Sequence, residues 1–162
     1  MPDTTLDDRV RRLLLAEHFD DRTRQKLRDL GDVALAGLRA SARGSDRGEA
    51  AVLKARAIVA LGDWPAEEAV DTLADAISDR RLETRMRAAA ALGDVATDRA
   101  VSVLADRAER CDDGVELAAI ARSLARIDRS DADEALGRIR ASIAADDVRR
   151  QVDLMLDERS AD

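Results

Sequence analysis

An all-α solenoid of about four helix pairs, closed by terminal capping helices, is the fold this sequence predicts. The first observation is a repeat: Leu-Gly-Asp occurs at Leu30-Gly31-Asp32, Leu61-Gly62-Asp63 and Leu92-Gly93-Asp94, 31 residues apart each time. A period of that length is the signature of stacked helical units. The second is composition. Of 162 residues 32 are alanine, and the chain has one Phe, one Trp and no Tyr. Small residues let helices approach closely, and a solenoid needs only thin apolar layers between repeats. The third is spacing: apolar residues recur at helical intervals, and no alternating strand pattern competes.

The elements follow in order, and together they form one domain over residues 1–162. A cap helix is expected over about 5–18, with Leu6, Val10, Leu13 and Leu14 on one face and Asp3, Thr4 or Thr5 as its N-cap. Repeats span about 20–45, 48–79, 80–111 and 113–145. Lys54–Asp63 aligns with Arg85–Asp94, and each is followed by an Ala-Val pair and a leucine three residues on: Ala69, Val70, Leu73 and Ala100, Val101, Leu104. The first copy has a turn shortened by about four residues. The fourth keeps a small-residue helix, Ala118–Ile127, but replaces Gly-Asp by Ala-Arg. A terminal helix is expected over about 146–158, with Val148, Val152 and Met155 inward.

Each unit reads as two helices. In the second copy Ala69, Val70, Leu73 and Ile77 fall on one side of a helix, with Glu67, Glu68, Asp71 and Asp75 on the other. Gly62 and Gly93 are expected to stop the first helix of their units in a left-handed conformation, and Gly31 holds the same repeat position in the first copy. Pro65 suits the first turn of the helix that follows. Asp98 and Asp131 are N-caps or first-turn acids. Trp64, three residues past the repeat leucine, shares its register with Val33, Val95 and Ile127, which makes it an apolar plug in the turn.

This pattern of Arg, small residues, Leu-Gly-Asp, an Ala-Val pair and a spaced Leu resembles the HEAT-like repeats of the phycobilisome lyase type over about residues 20–157. The resemblance implies a right-handed α-solenoid of about four HEAT-like helix pairs, with first helices on the convex side and second helices on the concave, ligand-facing side. It also brings a range of functions, because fold does not fix function: scaffolds, chromophore lyases, a metal-dependent hydroxylase and, more remotely, DNA glycosylases.

Little in the chain serves catalysis. The hydroxylases of the resembling family hold two irons through repeated His-Glu pairs, whereas this chain has one histidine, His18, followed by Phe19. Cys111, the one cysteine, excludes an internal disulfide and lies three repeats from His18, roughly 25–30 Å at helix spacings of 8–10 Å. A Cys-His dyad is excluded at that separation. Trp64 and Phe19 are too few aromatics for a tetrapyrrole groove. No catalytic residue, metal ligand or cofactor is expected.

Charge bounds the partners. The net charge of −7, with acidic residues mixed into the basic segments around Arg24 and Arg85, disfavours nucleic acid and anionic membrane. No targeting segment or membrane span is evident, which predicts a cytoplasmic protein. The candidate partner-binding surface is Glu67, Glu68, Asp71 and Asp75, with Arg99, Asp106 and Arg107 one unit on. Its carboxylates stand at repulsive i,i+4 spacings, so either cross-repeat pairs (Glu68 with Arg99, Asp75 with Arg107) or a basic partner offsets them. Lys54/Arg85 and Arg56/Arg87 repeat at 31 and are expected to pair with acids of the preceding turn, such as Asp79. Self-association through Leu13-Leu14-Leu15 or Leu154-Met155-Leu156 is a further expectation. The function expected is a non-catalytic protein-interaction or scaffold module. The alternative is a small-ligand or tetrapyrrole-binding, lyase-like protein.

Overall fold

The structure, a computed structural model, describes residues 4–142, 149–150, 153–154 and 157. Among these residues there are nine α-helices and no strand: α1 Thr4–Leu14, α2 Asp21–Asp29, α3 Asp32–Ala42, α4 Gly48–Leu61, α5 Glu67–Ala76, α6 Leu82–Val95, α7 Asp98–Glu109, α8 Gly114–Ala125 and α9 Ser130–Ser142. The helix expected over 146–158 has Val148, Val152 and Met155 outside the described residues.

The helices stack in two layers. α4, α6 and α8 pack in succession as first helices, and α3, α5, α7 and α9 pack in succession as second helices. Each second helix also packs on the first helix of the next unit, α3 on α4, α5 on α6 and α7 on α8. This is an all-α solenoid. Residues 20–45 contain α2 and α3, but the helix lying against both α3 and α4, in the first-helix position, is α1. α2 packs chiefly on α1 and is an addition to that plan. α1 ends at Leu14, sooner than the sequence suggests, and Thr4 lies within it.

Burial follows the predicted faces. Ala69, Val70, Leu73 and Ile77 are all buried, as are Ala100, Val101 and Leu104, and Ala135, Leu136 and Ile139. Val10 and Leu14 join the same continuous core. Leu13 is only partly buried against it. Alanine contributes a large share of that core, among them Ala57, Ala60, Ala88, Ala89 and Ala91 on the facing first helices.

Two of the three repeat glycines, Gly62 and Gly93, behave differently from expectation. Gly31 has a positive φ of 59° and joins α2 directly to α3. Gly62 is right-handed, with φ −60° and ψ −20°, and Gly93 lies inside α6. Their role is close approach. A Cβ on Gly62 would stand 3.2 Å from Ala91 Cα, and one on Gly93 would stand 3.0 Å from Ser123 Cβ. Ala96 instead takes the left-handed conformation that ends α6. Pro65 precedes the Ala66 N-cap of α5 and so stands before its first turn. Thr97 caps α7, which leaves Asp98, like Asp131, as a first-turn acid.

Trp64 is partly buried against the core, and Val95 and Ile127 in the same register are buried. Val33 is 43% exposed, because the first-copy turn is so short that this residue falls within α3.

Candidate functional site

The acidic row of α5 is exposed, but arginines from both neighbouring units interleave with it. Arg99 of α7 bonds Asp71 at 2.9 Å, and Arg43 at the end of α3 bonds Asp75 at 3.2 Å. Arg39 of α3 donates to Thr72 Oγ1 at 3.3 Å. The pairs expected between Glu68 and Arg99 and between Asp75 and Arg107 are replaced by these, because the stagger between successive second helices brings each arginine opposite a different carboxylate. Glu67, Glu68 and Asp106 stay exposed.

Arg107 turns inward. It donates through Nη2 to Glu116 Oε2 at 3.0 Å and also bonds Glu116 Oε1 through Nε. Arg85 approaches the same carboxylate from α6, Nε to Oε2 at 2.8 Å, and donates to the Asp79 and Arg80 carbonyls. Glu116 is 1% exposed. Burial alone would raise its pKa, but Arg107 and Arg85 outweigh burial and hold the carboxyl below the usual glutamate range.

The same register one unit earlier holds Lys54, 8% exposed, whose Nζ bonds Asp46 at 2.8 Å and Asp79 at 2.6 Å. Burial opposes its charge, and the two carboxylates overcome this and keep the ammonium above the ordinary lysine range. Lys54, Arg85 and Glu116 are spaced by 31. The sign change at the third position was the signal in the sequence that this register is a buried cross-repeat ladder. Arg56 and Arg87 do not join it. Arg56 Nη1 donates to the Leu14 and Ala16 carbonyls, both at 2.7 Å, with the guanidinium 5.5 Å from the Phe19 ring centroid. Arg87 pairs with Glu83 within α6.

Sequence reasoning missed the groove between α4 and α6. It holds about 400 Å³ and is open to solvent. Val52, Ala55 and Val59 belong to its apolar lining, and Arg56, Arg81, Arg87, Asp46, Lys54 and Glu83 to its charged lining. The signal available was the register of Arg56 and Arg87 on successive first helices.

Candidate nucleophiles lie apart. His18 is exposed in the α1–α2 loop, and Cys111 is buried in the α7–α8 turn with Sγ 3.5 Å from the Asp113 carbonyl oxygen. Burial raises the Cys111 pKa, which suppresses the reactive thiolate. Among the described residues no group of three or more His, Cys, Asp or Glu is arranged to hold a metal ion, and no helix is long and apolar enough to cross a membrane.

Stacked helix pairs tied by ladders of ions between units define a helical-repeat scaffold. The chain belongs to the HEAT repeats family, which it matches over residues 35–125. No curated protein matches it. Among solved structures it is similar to human deoxyhypusine hydroxylase in complex with glycerol, at 25% identity and a TM-score of 0.66. That likeness covers 79% of this chain and 44% of the hydroxylase chain, so this chain spans less than half the length of that relative.

Proposed function

We propose that the chain is a non-catalytic protein-interaction module that binds a protein partner through the solenoid surface. The observation that supports this is how its charged groups divide. Arg85, Arg107 and Glu116 are spent on joining units and Lys54 on tying the turns at either side of its own unit, while the groove on α4 and α6 presents apolar side chains together with guanidiniums. Apolar and arginine side chains combined in one concave lining are the composition of a recognition surface. The activity in the name of the similar hydroxylase stays with that protein, since His18, this chain's one histidine, is isolated in a surface loop.

Photo-crosslinking side chains placed at Val59 on the groove and at Glu68 on α5 test the reading in the native cell. A defined protein adduct from either position is the expected result. Absence of adducts from both positions would contradict it.

A second reading, a small-ligand or lyase-like solenoid of the phycobilisome lyase type, is favoured by the groove's size. About 400 Å³ falls within the ordinary range of ligand pockets. A small molecule retained through purification and seen by native mass spectrometry would support it. A clean protein mass would count against it.

A further inference from the structure

The groove between α4 and α6 departs in charge from the rest of the chain. The protein carries a net −7, yet the groove is bordered by Lys54, Arg56, Arg81 and Arg87 against two carboxylates, Asp46 and Glu83. Lys54 is balanced by Asp46 and Asp79 and Arg87 by Glu83, which leaves Arg56 and Arg81 as the cations in excess. We propose that this groove receives an acidic segment of a partner protein, extended across α4 and α6, with carboxylates on Arg56, Arg81 and Arg87 and aliphatic side chains on Val52, Ala55 and Val59. The proposal rests on the reading of the chain as a protein-interaction module and gives that partner its chemistry.

Three features carry it. Among the described residues Arg56 is held in place by the Leu14 and Ala16 carbonyls through Nη1 alone, and it lies over Phe19. Its Nε and Nη2 donors remain for a ligand carboxylate, and ordering it costs a ligand little because the protein has already done so. Arg81, exposed at the N-cap of α6, has a guanidinium that makes no ion pair among the described residues. Among the described residues Arg87 is tied to Glu83 one turn back on the helix surface, a contact of a few tenths of a kcal/mol that a ligand carboxylate can replace.

Spacing and chemistry select the occupant. Arg56 and Arg87 hold the same register on helices that pack roughly 8–10 Å apart. In an extended segment side chains two residues apart share one face and stand about 7 Å apart, which fits acids at that interval with aliphatic residues further along the same face. A single-stranded nucleic acid would need aromatic stacking platforms, and the groove lining has none.

Fluorescence anisotropy on the purified full chain tests this with a fluorescein-labelled 12-residue peptide in which every second residue is drawn from Asp, Glu, Val and Leu, so that acids and aliphatic side chains share one face, with Ser between them. Its analogue with Lys for each acid and a 12-nucleotide single-stranded DNA serve as comparison probes. The acidic peptide is expected to bind best, with affinity falling as salt rises and dropping at least about tenfold in the double variant Arg81→Glu, Arg87→Glu. Arg110→Glu with Arg138→Glu changes net charge equally at the far end of the chain, and should leave affinity within about twofold. Should the groove variant lose helicity, Arg81→Ser alone gives the same readout at one exposed side chain. Equal binding of the Lys analogue, tighter binding of the DNA, or an unchanged affinity in a folded groove variant each overturns the proposal. If peptide binding fails while Glu68 still yields a protein adduct, the groove assignment falls and the interaction module stands. If no position yields an adduct, the module reading falls as well.

Discussion

Gly62 lies against Ala91 of the next first helix so closely that a Cβ built on it would stand 3.2 Å from the Ala91 Cα and 3.3 Å from its carbonyl oxygen. The neighbour is backbone, which yields only by moving the whole of α6. Gly93 repeats the relationship one unit on, against Ser123 of α8. Gly62→Ala and Gly93→Ala are therefore expected to destabilise the fold by about 1–3 kcal/mol each, the usual cost of overpacking. Gly137 in α9 has no atom within 4 Å of its would-be Cβ, and Gly137→Ala should stabilise by about 0.5–1 kcal/mol through helix propensity and a less free unfolded chain. Urea denaturation of the three variants checks the sign of each. Equal effects at all three would show that the repeat glycines are not contact points.

Ala96 provides the left-handed residue that the sequence led one to expect at a glycine. Its φ of 53° and ψ of 27° end α6, with its N–H bonded to the Leu92 carbonyl at 3.1 Å. An L-residue in this region is strained by roughly 1–2 kcal/mol relative to glycine, and part of that gain is offset by the loss of a half-buried methyl. Ala96→Gly is expected to raise stability by about 0.5–1 kcal/mol, read as a higher thermal midpoint. A lower midpoint would mean that the methyl's packing outweighs the backbone strain.

The layered fold was legible because its determinants are periodic. Ala69, Val70, Leu73 and their counterparts at Ala100, Val101 and Leu104 mark buried faces by spacing alone. Glycine was legible as a repeat position but ambiguous in role, since the same residue serves a positive φ at Gly31 and close contact at Gly62. Nothing in a linear pattern separates these, because close contact depends on the crossing distance of helices 31 residues apart. The acidic row on α5 was legible as a face, whereas its partners were not. Arg99 reaches Asp71 rather than Glu68 because the stagger between second helices, a tertiary quantity, sets which carboxylate is in reach. The α4–α6 groove had only the shared register of Arg56 and Arg87 to announce it.

Asp63 tethers α2, the helix that stands outside the two-layer plan. Its carboxylate accepts from Arg24 Nε at 2.9 Å and pairs with Arg28 Nη1 at 2.9 Å, and it is 12% exposed. α2 otherwise packs chiefly on α1, so this cluster links it to the turn after α4. Asp63→Ala should cost about 1–3 kcal/mol, in the range for hydrogen bonds between charged groups. The loss should also be local. Amide exchange over residues 21–29 is expected to accelerate more than exchange in α6 and α8, and a uniform acceleration would show that α2 is integral to the global unit.

Glu116 makes the strongest demand on the core, since its carboxylate is 1% exposed and is shared between Arg85 of one unit and Arg107 of the same unit's second helix. Removing one partner of a buried pair leaves unmatched charge, typically at about 3–5 kcal/mol, so Glu116→Ala is expected to lose about that much at pH 7. Glu116→Gln keeps the shape but not the charge and should lose less. The pH dependence has a definite sign. The folded pKa is lowered by the two arginines against burial, so the stabilisation is complete above the unfolded value of about 4.3 and is lost as pH falls through the lower folded value. Asp79, Asp20 and Asp131 are shifted in the same direction, and the native chain should weaken steadily on acidification below about pH 4–5. Glu116→Gln removes one of these proton-linked groups, so its stability should fall less steeply between pH 5 and pH 2. Denaturant midpoints measured across that interval decide the matter: parallel slopes in the native chain and the Gln variant would show that Glu116 contributes packing rather than charge to the joint between units.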